Sequence, residues 1–211
     1  MLLASALAGC DYVARRADQV VGSGNKKTES REVPEFDEIV VNGAYRVEVT
    51  CGQPRSVQLE ADDNILPLIK TVVEGGRLLI TQERGMSIKS VPVVRVGVPD
   101  LKLVSIPGAS DFRLSGVHND AMKISVEGAA RLQASGETGT LELNLSGAGL
   151  IDARELRSRR ATVVSSGAGL TSVHATEALD ATVNGLGGID YYGDPQAVAP
   201  KINGLGRINK K

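Results

Sequence analysis

Hydrophobic and polar residues alternate with a period of two over much of the chain from residue 35 onward, which predicts β-strands with one buried face. Up to residue 99 the runs are short, and turn-forming segments separate them: Asn42-Gly43, Gly52-Gln53-Pro54 and Glu74-Gly75-Gly76. Residues 62–69 favour one brief helical turn, capped by Asp63 or Asn64, and residues 82–90 are expected to form a polar loop.

The second half of the chain repeats a short glycine-centred motif at a nearly constant interval. The first glycines of the motif are 18 to 20 residues apart, and they are Gly108, Gly128, Gly147, Gly167, Gly185 and Gly204. Such a fixed, short period indicates stacked structural repeats. We interpret these glycines as corners that need either a positive φ or the close approach of a neighbouring coil.

Apolar residues occupy matching positions in successive repeats. Four residues before the glycine stand Val104, Ile124, Leu143, Val163, Ala181 and Pro200. Four residues after it stand Phe112, Leu132, Ile151, Thr171, Ile189 and Ile208. The positions two before and six after the glycine are mostly apolar as well. Spacing by two on each side of the glycine predicts two short strands per repeat, whose alternate residues stack into a common core.

A period near 20 residues also fits leucine-rich repeats, which carry an outer helix or extended segment in every unit. Here the connecting segments, such as residues 115–120 and 135–139, are rich in turn formers and lack helical periodicity. The sequence therefore predicts an all-β fold, a right-handed, single-stranded parallel β-helix (β-solenoid) with coils of about 19–20 residues. This domain is expected over residues 32–211, with irregular N-terminal coils over 32–104 and regular repeats over 105–211.

The succession of an apolar strand, a Ser-Gly-Ala-Gly corner and a second strand in residues 144–151 and 163–170 resembles the bacterial family described as putative auto-transporter adhesin, head GIN domain. Further segments that are similar to this family are Phe36 to Gly43, Asp63 to Leu66, Gly75 to Ile80, Val98 to Leu101 and Tyr191 to Pro195. The resemblance implies a right-handed β-helix carried by envelope lipoproteins. It implies no catalytic residues, because the family has no catalytic motif to carry over.

The N-terminus carries a short apolar run that ends in Leu7-Ala8-Gly9-Cys10, which resembles the lipobox of bacterial lipoproteins. We therefore expect residues 1–10 to be a lipoprotein signal segment, Cys10 to be the site of lipid attachment, and residues 11–31 to be a flexible tether. Lipidation would hold the protein to a membrane, as a periplasm-facing or surface lipoprotein of the cell envelope. Cys51 then lacks an intramolecular partner, whereas a Cys10–Cys51 disulfide is the alternative for an unlipidated chain.

Composition narrows the classes of ligand. Lysine and arginine total 24 against 25 acidic residues, so the net charge of -1 gives no field that would attract nucleic acid. The chain has no Trp, which disfavours a site that stacks on sugar rings. His118 and His174 fall in non-adjacent coils without acidic or Cys ligands at suitable spacing, so we expect neither a metal site nor a cofactor.

The outward positions of the predicted coils argue against catalysis. Five residues after the glycine, the outward row reads Arg113, Gln133, Asp152, Ser172 and Asp190, which puts no two carboxylates on neighbouring coils. We therefore expect a non-catalytic, adhesin-like binding or scaffolding module whose partner is a protein, a glycan or a second copy. The alternative is a polysaccharide-active β-helix enzyme, either a lyase or a glycoside hydrolase. The cations Arg207, Lys210 and Lys211 are read either as guards of the last strand edge or as a solvated tail.

Overall fold

The computed structural model describes residues 19–87 and 90–211, so the predicted signal segment, Cys10 and the first part of the predicted tether lie outside the described residues. Within those ranges the chain is all-β, apart from one 3-10 helix at Leu66–Leu68. The strands are β1 (Val20–Val21), β2 (Lys26–Arg31), β3 (Glu38–Val41), β4 (Ala44–Cys51), β5 (Ser56–Asp62), β6 (Ile69–Glu74), β7 (Arg77–Gln82), β8 (Met86–Ser87), β9 (Val93–Val98), β10 (Leu103–Ile106), β11 (Ala109–Val126), β12 (Ala129–Leu145), β13 (Ala148–Ser165), β14 (Ala168–Val183), β15 (Leu186–Tyr192), β16 (Ala197–Ile202) and β17 (Leu205–Lys210).

From β10 onward, each coil pairs in parallel with the next one in the register that the sequence predicts. The row that begins with Val104 and Ile124 continues through Leu143, Val163, Ala181 and Pro200. The row four residues after each glycine continues in the same way from Phe112 to Ile208. Apart from the last coil, the members of both rows are buried. The predicted parallel β-helix is therefore confirmed.

The repeated glycines lie where one coil approaches the next. A Cβ atom on Gly108 would lie 2.6 Å from the carbonyl oxygen of Gly43, and one on Gly167 would lie 2.6 Å from the carbonyl oxygen of Ser146. None of the six repeated glycines has a positive φ. Of the two reasons that the sequence left open, close packing of neighbouring coils is the one that requires glycine.

The stack contains a coil that the sequence period does not reveal. Strands β3 and β4 pair in parallel with β10 and β11, which places Ala44 beside Ala109 and makes Gly43 another corner. Strands β7 and β9 pair in parallel with the other side of β3 and β4. The chain thus leaves the stack after β4, builds β5 to β9 on one side, and returns to the other side at β10.

Antiparallel strands, rather than further coils, cover the N-terminal end of the stack. Strand β6 pairs antiparallel with β7, and β5 pairs antiparallel with β9. The predicted irregular coils over 32–104 are therefore only partly correct, because this region mixes parallel coils with antiparallel cover. The cover buries its own apolar side chains, since Leu59 of β5 and Ile69 of β6 are each 0% exposed.

The prediction of a flexible tether over residues 11–31 is wrong for its described C-terminal part. Residues Lys26–Arg31 form β2, which pairs antiparallel with β5, and β1 pairs in parallel with β8. Every side chain of β2 except Arg31 is exposed, so the segment shows no hydrophobic period from which a strand could be predicted. Its backbone pairing, rather than burial, makes it a strand.

The predicted helical turn is present as the 3-10 helix, but the predicted cap is wrong. The N-cap position is Ile65, without a side-chain hydrogen bond. Asn64 instead accepts a hydrogen bond at 2.9 Å from the amide of Ser23, and Asp63 accepts one at 2.6 Å from the Ser23 hydroxyl. These side chains fasten the segment before β2 to the body of the molecule.

Cys51 ends β4, and its buried thiol forms no disulfide within residues 19–87 and 90–211. Burial raises the pKa of this thiol to about 11, so it stays protonated at neutral pH. A protonated, buried thiol is a poor nucleophile, which favours a structural role for Cys51 over a reactive one.

Candidate functional site

The outward surface just after the corners becomes apolar in the C-terminal half of the rod. Leu150, Leu186 and Leu205 expose 52%, 59% and 83% of their surface, respectively. Register pairing places them in two adjacent rows: Ala148, Ala168, Leu186 and Leu205 in one, and Leu150 and Leu170 in the other. We call these six residues the leucine face. Because paired strands are about 4.8 Å apart, the face is one contiguous patch rather than a scatter of single leucines.

Polar and charged residues surround the leucine face. Arg131 is the register partner of Leu150 at one end, and Arg207 is the register partner of Gly188 at the other. The neighbouring outward row on the far side from the corners holds Asp152, Ser172 and Asp190. An apolar centre with a polar rim is the usual composition of a protein–protein interface.

On its corner side, the leucine face is bordered by a ladder of polar residues, each one position before its corner glycine. The Asn184 amide donates a hydrogen bond to the hydroxyl of Ser166 at 3.2 Å, and the Asn203 amide donates one to Asn184 Oδ1 at 2.8 Å. The sequence predicts this axial hydrogen bonding, because Ser146, Ser166, Asn184 and Asn203 occupy the same position in successive repeats. These side chains hold adjacent coils together and so have a structural role.

Neither histidine joins a metal-binding group. His118 and His174 lie in one row but are separated by Glu137 and Arg157, so the rings are three strand spacings, or about 14 Å, apart. Among residues 19–87 and 90–211 no three His, Cys, Asp or Glu side chains come together in a way that could hold a metal ion.

Two carboxylates on the outward surface of the regular coils are engaged with cations. Asp152 accepts hydrogen bonds from Arg154 Nε at 2.8 Å and Nη2 at 2.6 Å, and these bonds lower the pKa of its carboxyl group. The Lys123 ammonium lies 2.7 Å from Glu142 and likewise lowers the pKa of that carboxyl group. A general acid in glycoside cleavage needs a raised pKa, so these two carboxylates are unsuited to that role.

A groove with a volume of about 550 Å³ runs along the face that carries His118, and it is lined by Asn119, Asp120, Glu137, Arg157 and Arg159. Its floor has a structural role. Asn119 accepts a hydrogen bond from the Thr138 hydroxyl at 2.7 Å and donates one to the Leu101 carbonyl at 2.8 Å. The groove walls carry both acidic and basic side chains, and none of the lining residues has a large apolar side chain against which a ligand could pack.

Sequence reasoning missed the leucine face. It followed the rows two and four residues before the glycine and four to six after it, whereas the leucines stand one and three residues after the glycine. The replacement of alanine by leucine between Ala168 and Leu186 was the available signal. An outward row in which small residues give way to large apolar residues in later coils indicates a surface that a partner covers.

Comparison with known proteins agrees with this architecture. A putative adhesin from Bacteroides fragilis superposes with a TM-score of 0.72 at 23% identity, covering 91% of this chain and 100% of its own. A putative lipid binding protein from Parabacteroides distasonis gives 0.56 at 23% identity, covering 92% and 99%, respectively. A putative adhesin from Parabacteroides merdae gives 0.57 at 20% identity, again covering 92% and 99%. At these identities the likeness shows a shared fold.

The search of curated proteins found no match. Within the described residues, no helix is long and apolar enough to span a bilayer. Residues 35–195 match the family model described as putative auto-transporter adhesin, head GIN domain. With most of its length matched, the chain belongs to this family of adhesin-like proteins.

Proposed function

We propose that this protein is a non-catalytic, adhesin-like binding module, held at the cell envelope by a lipid on Cys10, and that its leucine face docks a protein partner. The leucine face carries the proposal, because three leucines that each expose more than half of their surface lie in two adjacent outward rows on one side of the stack. Exposed apolar surface of this kind is costly in water unless a partner covers it.

The charge around the leucine face favours a protein over a lipid surface. A face that binds anionic membranes carries several lysines or arginines beside its apolar residues. Here the rim offers Arg131 and Arg207 together with the acidic Asp152, which is paired with Arg154, so the field is mixed. The name of the structural relative from Parabacteroides distasonis mentions lipid binding, and a lipid adduct is therefore one outcome that the experiment must distinguish.

The pairing of carboxylates with cations supports a binding role over polysaccharide cleavage. Asp152 and Glu142 lie on the outward surface with lowered pKa values, whereas hydrolysis requires one carboxyl group that stays protonated near neutral pH. The enzyme alternative can be tested directly by the release of reducing ends from polygalacturonate. The proposal expects none above the buffer control.

The binding proposal can be tested by site-specific photo-crosslinking in envelope preparations. A photoreactive residue at Leu186, or at Leu170, should give a defined adduct with the same protein. The double variant L150S/L186S, probed from Leu170, should lose the Leu170 adduct. The matched control places the probe at Val72, which is 45% exposed on the outermost N-terminal strand. The same adduct from both sites, an adduct with lipid alone, or no adduct at all would contradict docking of a protein on the leucine face.

A further inference from the structure

The end coil, residues 197–210, leaves both backbone and apolar side chains uncovered. Within the described chain, β16 pairs only with β14, and β17 pairs only with β15, so the outer edge of each strand lacks hydrogen-bond partners there. Ile202 is 50% exposed, although its row partner Val183 is 0% exposed. The N-terminal end differs, because antiparallel strands cover its interior. An uncovered interior row shows that the stack would accept one more coil.

Charged residues elsewhere on the rod pair across neighbouring strands in register. Four such pairs are Arg77–Glu38 at 2.6 Å, Arg95–Glu48 at 3.3 Å, Arg46–Asp111 at 3.7 Å and Lys123–Glu142 at 2.7 Å. In each pair the two residues are direct register partners. In these four pairs, a cation on one strand meets an acidic residue at the same row position of the next strand.

Two cations of the end coil lack such a residue. Lys201 has Thr182 as its register partner, and Arg207 has Gly188, and no strand among the described residues pairs on the outer side of either cation. Among the described residues neither cation takes part in an ion pair. Lys210 and Lys211 differ, because they pair with Asp194 at 2.6 Å and Asp190 at 3.5 Å. The two unpaired cations face the open edge.

We propose that the end coil binds an extended, acidic protein segment that adds one coil to the stack. Acidic residues of the segment would face Lys201 and Arg207, and apolar residues would cover Ile202 and Ile208. Backbone hydrogen bonds to β16 and β17 would supply affinity, and the two cations would supply selectivity. This inference rests on the proposed protein-binding function and names the chemistry of a segment that is recognised.

A second copy of the chain fits the end coil less well. If two end coils met face to face, the cations of one would meet the cations of the other, and like charges at an interface weaken association. The same cations that attract an acidic segment would therefore keep the protein from associating through this end.

The probe is a fluorescent 12-residue peptide that copies residues 103–114 of this chain with the substitution S105E. Aligned on its glycine, it would set the new glutamate over Lys201, Asp111 over Arg207, and Ile106 and Phe112 over the exposed apolar row. Fluorescence anisotropy should show saturable binding to the wild-type protein. Hydrogen exchange should then show new protection in β16 and β17, with no change in the unpaired edges of β2 and β6.

Charge reversal separates this mode from non-specific binding. The Arg207→Glu variant should bind the probe about 3–10-fold more weakly, because one exposed attraction becomes a repulsion. A second peptide that also carries D111K should show the opposite preference and bind the variant more tightly than the wild type. Arg113→Glu, an outward change remote from the end coil, should leave probe binding unchanged.

Three results would overturn the proposal: no saturable binding of the probe, equal binding to Arg207→Glu, or protection outside the end coil. A dimer of the wild type in sedimentation, with hydrogen-exchange protection of β16 and β17 in that dimer, would assign the end to a second copy. Recruitment of the wild type, but not of Arg207→Glu, to anionic phospholipid vesicles would assign it to a lipid surface. If the probe does not bind but the Leu186 adduct still forms, only the end-coil site is rejected. If the Leu186 adduct does not form, the leucine face is rejected.

Discussion

Gly167→Ala is the smallest change that tests the packing of the coils. A Cβ atom at this position would collide with the carbonyl oxygen of Gly147 and lie 2.6 Å from that of Ser146. Both obstacles are backbone atoms of the preceding coil, so no side chain can rotate away. The two coils must move apart at the corner, and the movement disturbs the hydrogen bonds around it.

The cost can be derived from the bonds at that corner. The amide of Gly167 donates to the Leu145 carbonyl at 3.1 Å, and the amide of Ala168 donates to the Gly147 carbonyl at 3.0 Å. Weakening these two bonds costs roughly 0.5–1.5 kcal/mol each, and residual strain adds to that. We expect a loss of about 2–3 kcal/mol in the free energy of unfolding. For a chain of this length, that loss corresponds to a fall in Tm of about 4–12 °C.

Urea denaturation followed by circular dichroism measures this loss, with Gly85→Ala as the matched control. At Gly85, which also lacks a positive φ, the nearest atom to a Cβ would be Cγ of the Gln19 side chain at 3.0 Å, and that exposed side chain can move. The control should therefore change stability by less than about 1 kcal/mol. If Gly167→Ala unfolds at the same urea concentration as the wild type, the corners are not closely packed and the reasoning is wrong.

Four further predictions follow from the sequence and structure. Cys10→Ser should move the protein from the membrane to the soluble envelope fraction on cell fractionation, and unchanged membrane association would reject lipid attachment. Thr171 is 0% exposed, and its hydroxyl forms no hydrogen bond within the described chain. Thr171→Val should therefore stabilise the fold by about 1 kcal/mol in urea denaturation. Thr138→Val, which removes the hydrogen bond to Asn119, should destabilise the fold. Cations lower the pKa values of Asp152 and Glu142, so these two carboxylates stabilise the fold above the ordinary carboxyl pKa of about 4. This stabilisation is lost as the pH falls through their lower pKa values in the folded state. When the urea midpoint is plotted against pH, D152N should therefore flatten the acid side of the curve. Neutral substitutions at Arg207, Lys210 and Lys211 should promote end-to-end association in a sedimentation concentration series, and an unchanged assembly state would reject the role of these cations as edge guards.

The repeated half of the fold could be predicted because its information is local. Each coil carries its own glycine and its own inward residues, so the row through Ile124, Leu143 and Val163 can be read from spacing alone. The structure reproduces that register. Even the axial hydrogen bond between Asn184 and Asn203 could be expected from the Ser or Asn that precedes each of the last four corners.

The N-terminal half could not be predicted to the same depth because its pairings are distant in sequence. Gly43 and Gly108 form consecutive corners, but β5 to β9 are inserted between them, so no period connects the two. The polar strand β2 is held by backbone pairing with β5, and such pairing cannot be predicted from a pattern of hydrophobic residues. The leucine face was readable from the sequence, but only by following outward positions as closely as inward ones.

The dissociation constant of the crosslinked partner, measured with purified proteins by titration calorimetry, tests the central claim most directly. The comparison uses the wild type, L150S/L186S, and the control Val72→Ser. Our account predicts at least about tenfold weaker binding for the leucine variant, because two apolar anchors at the centre of the interface are lost, and no change for the control. Equal affinities for all three proteins would contradict a binding function of the leucine face.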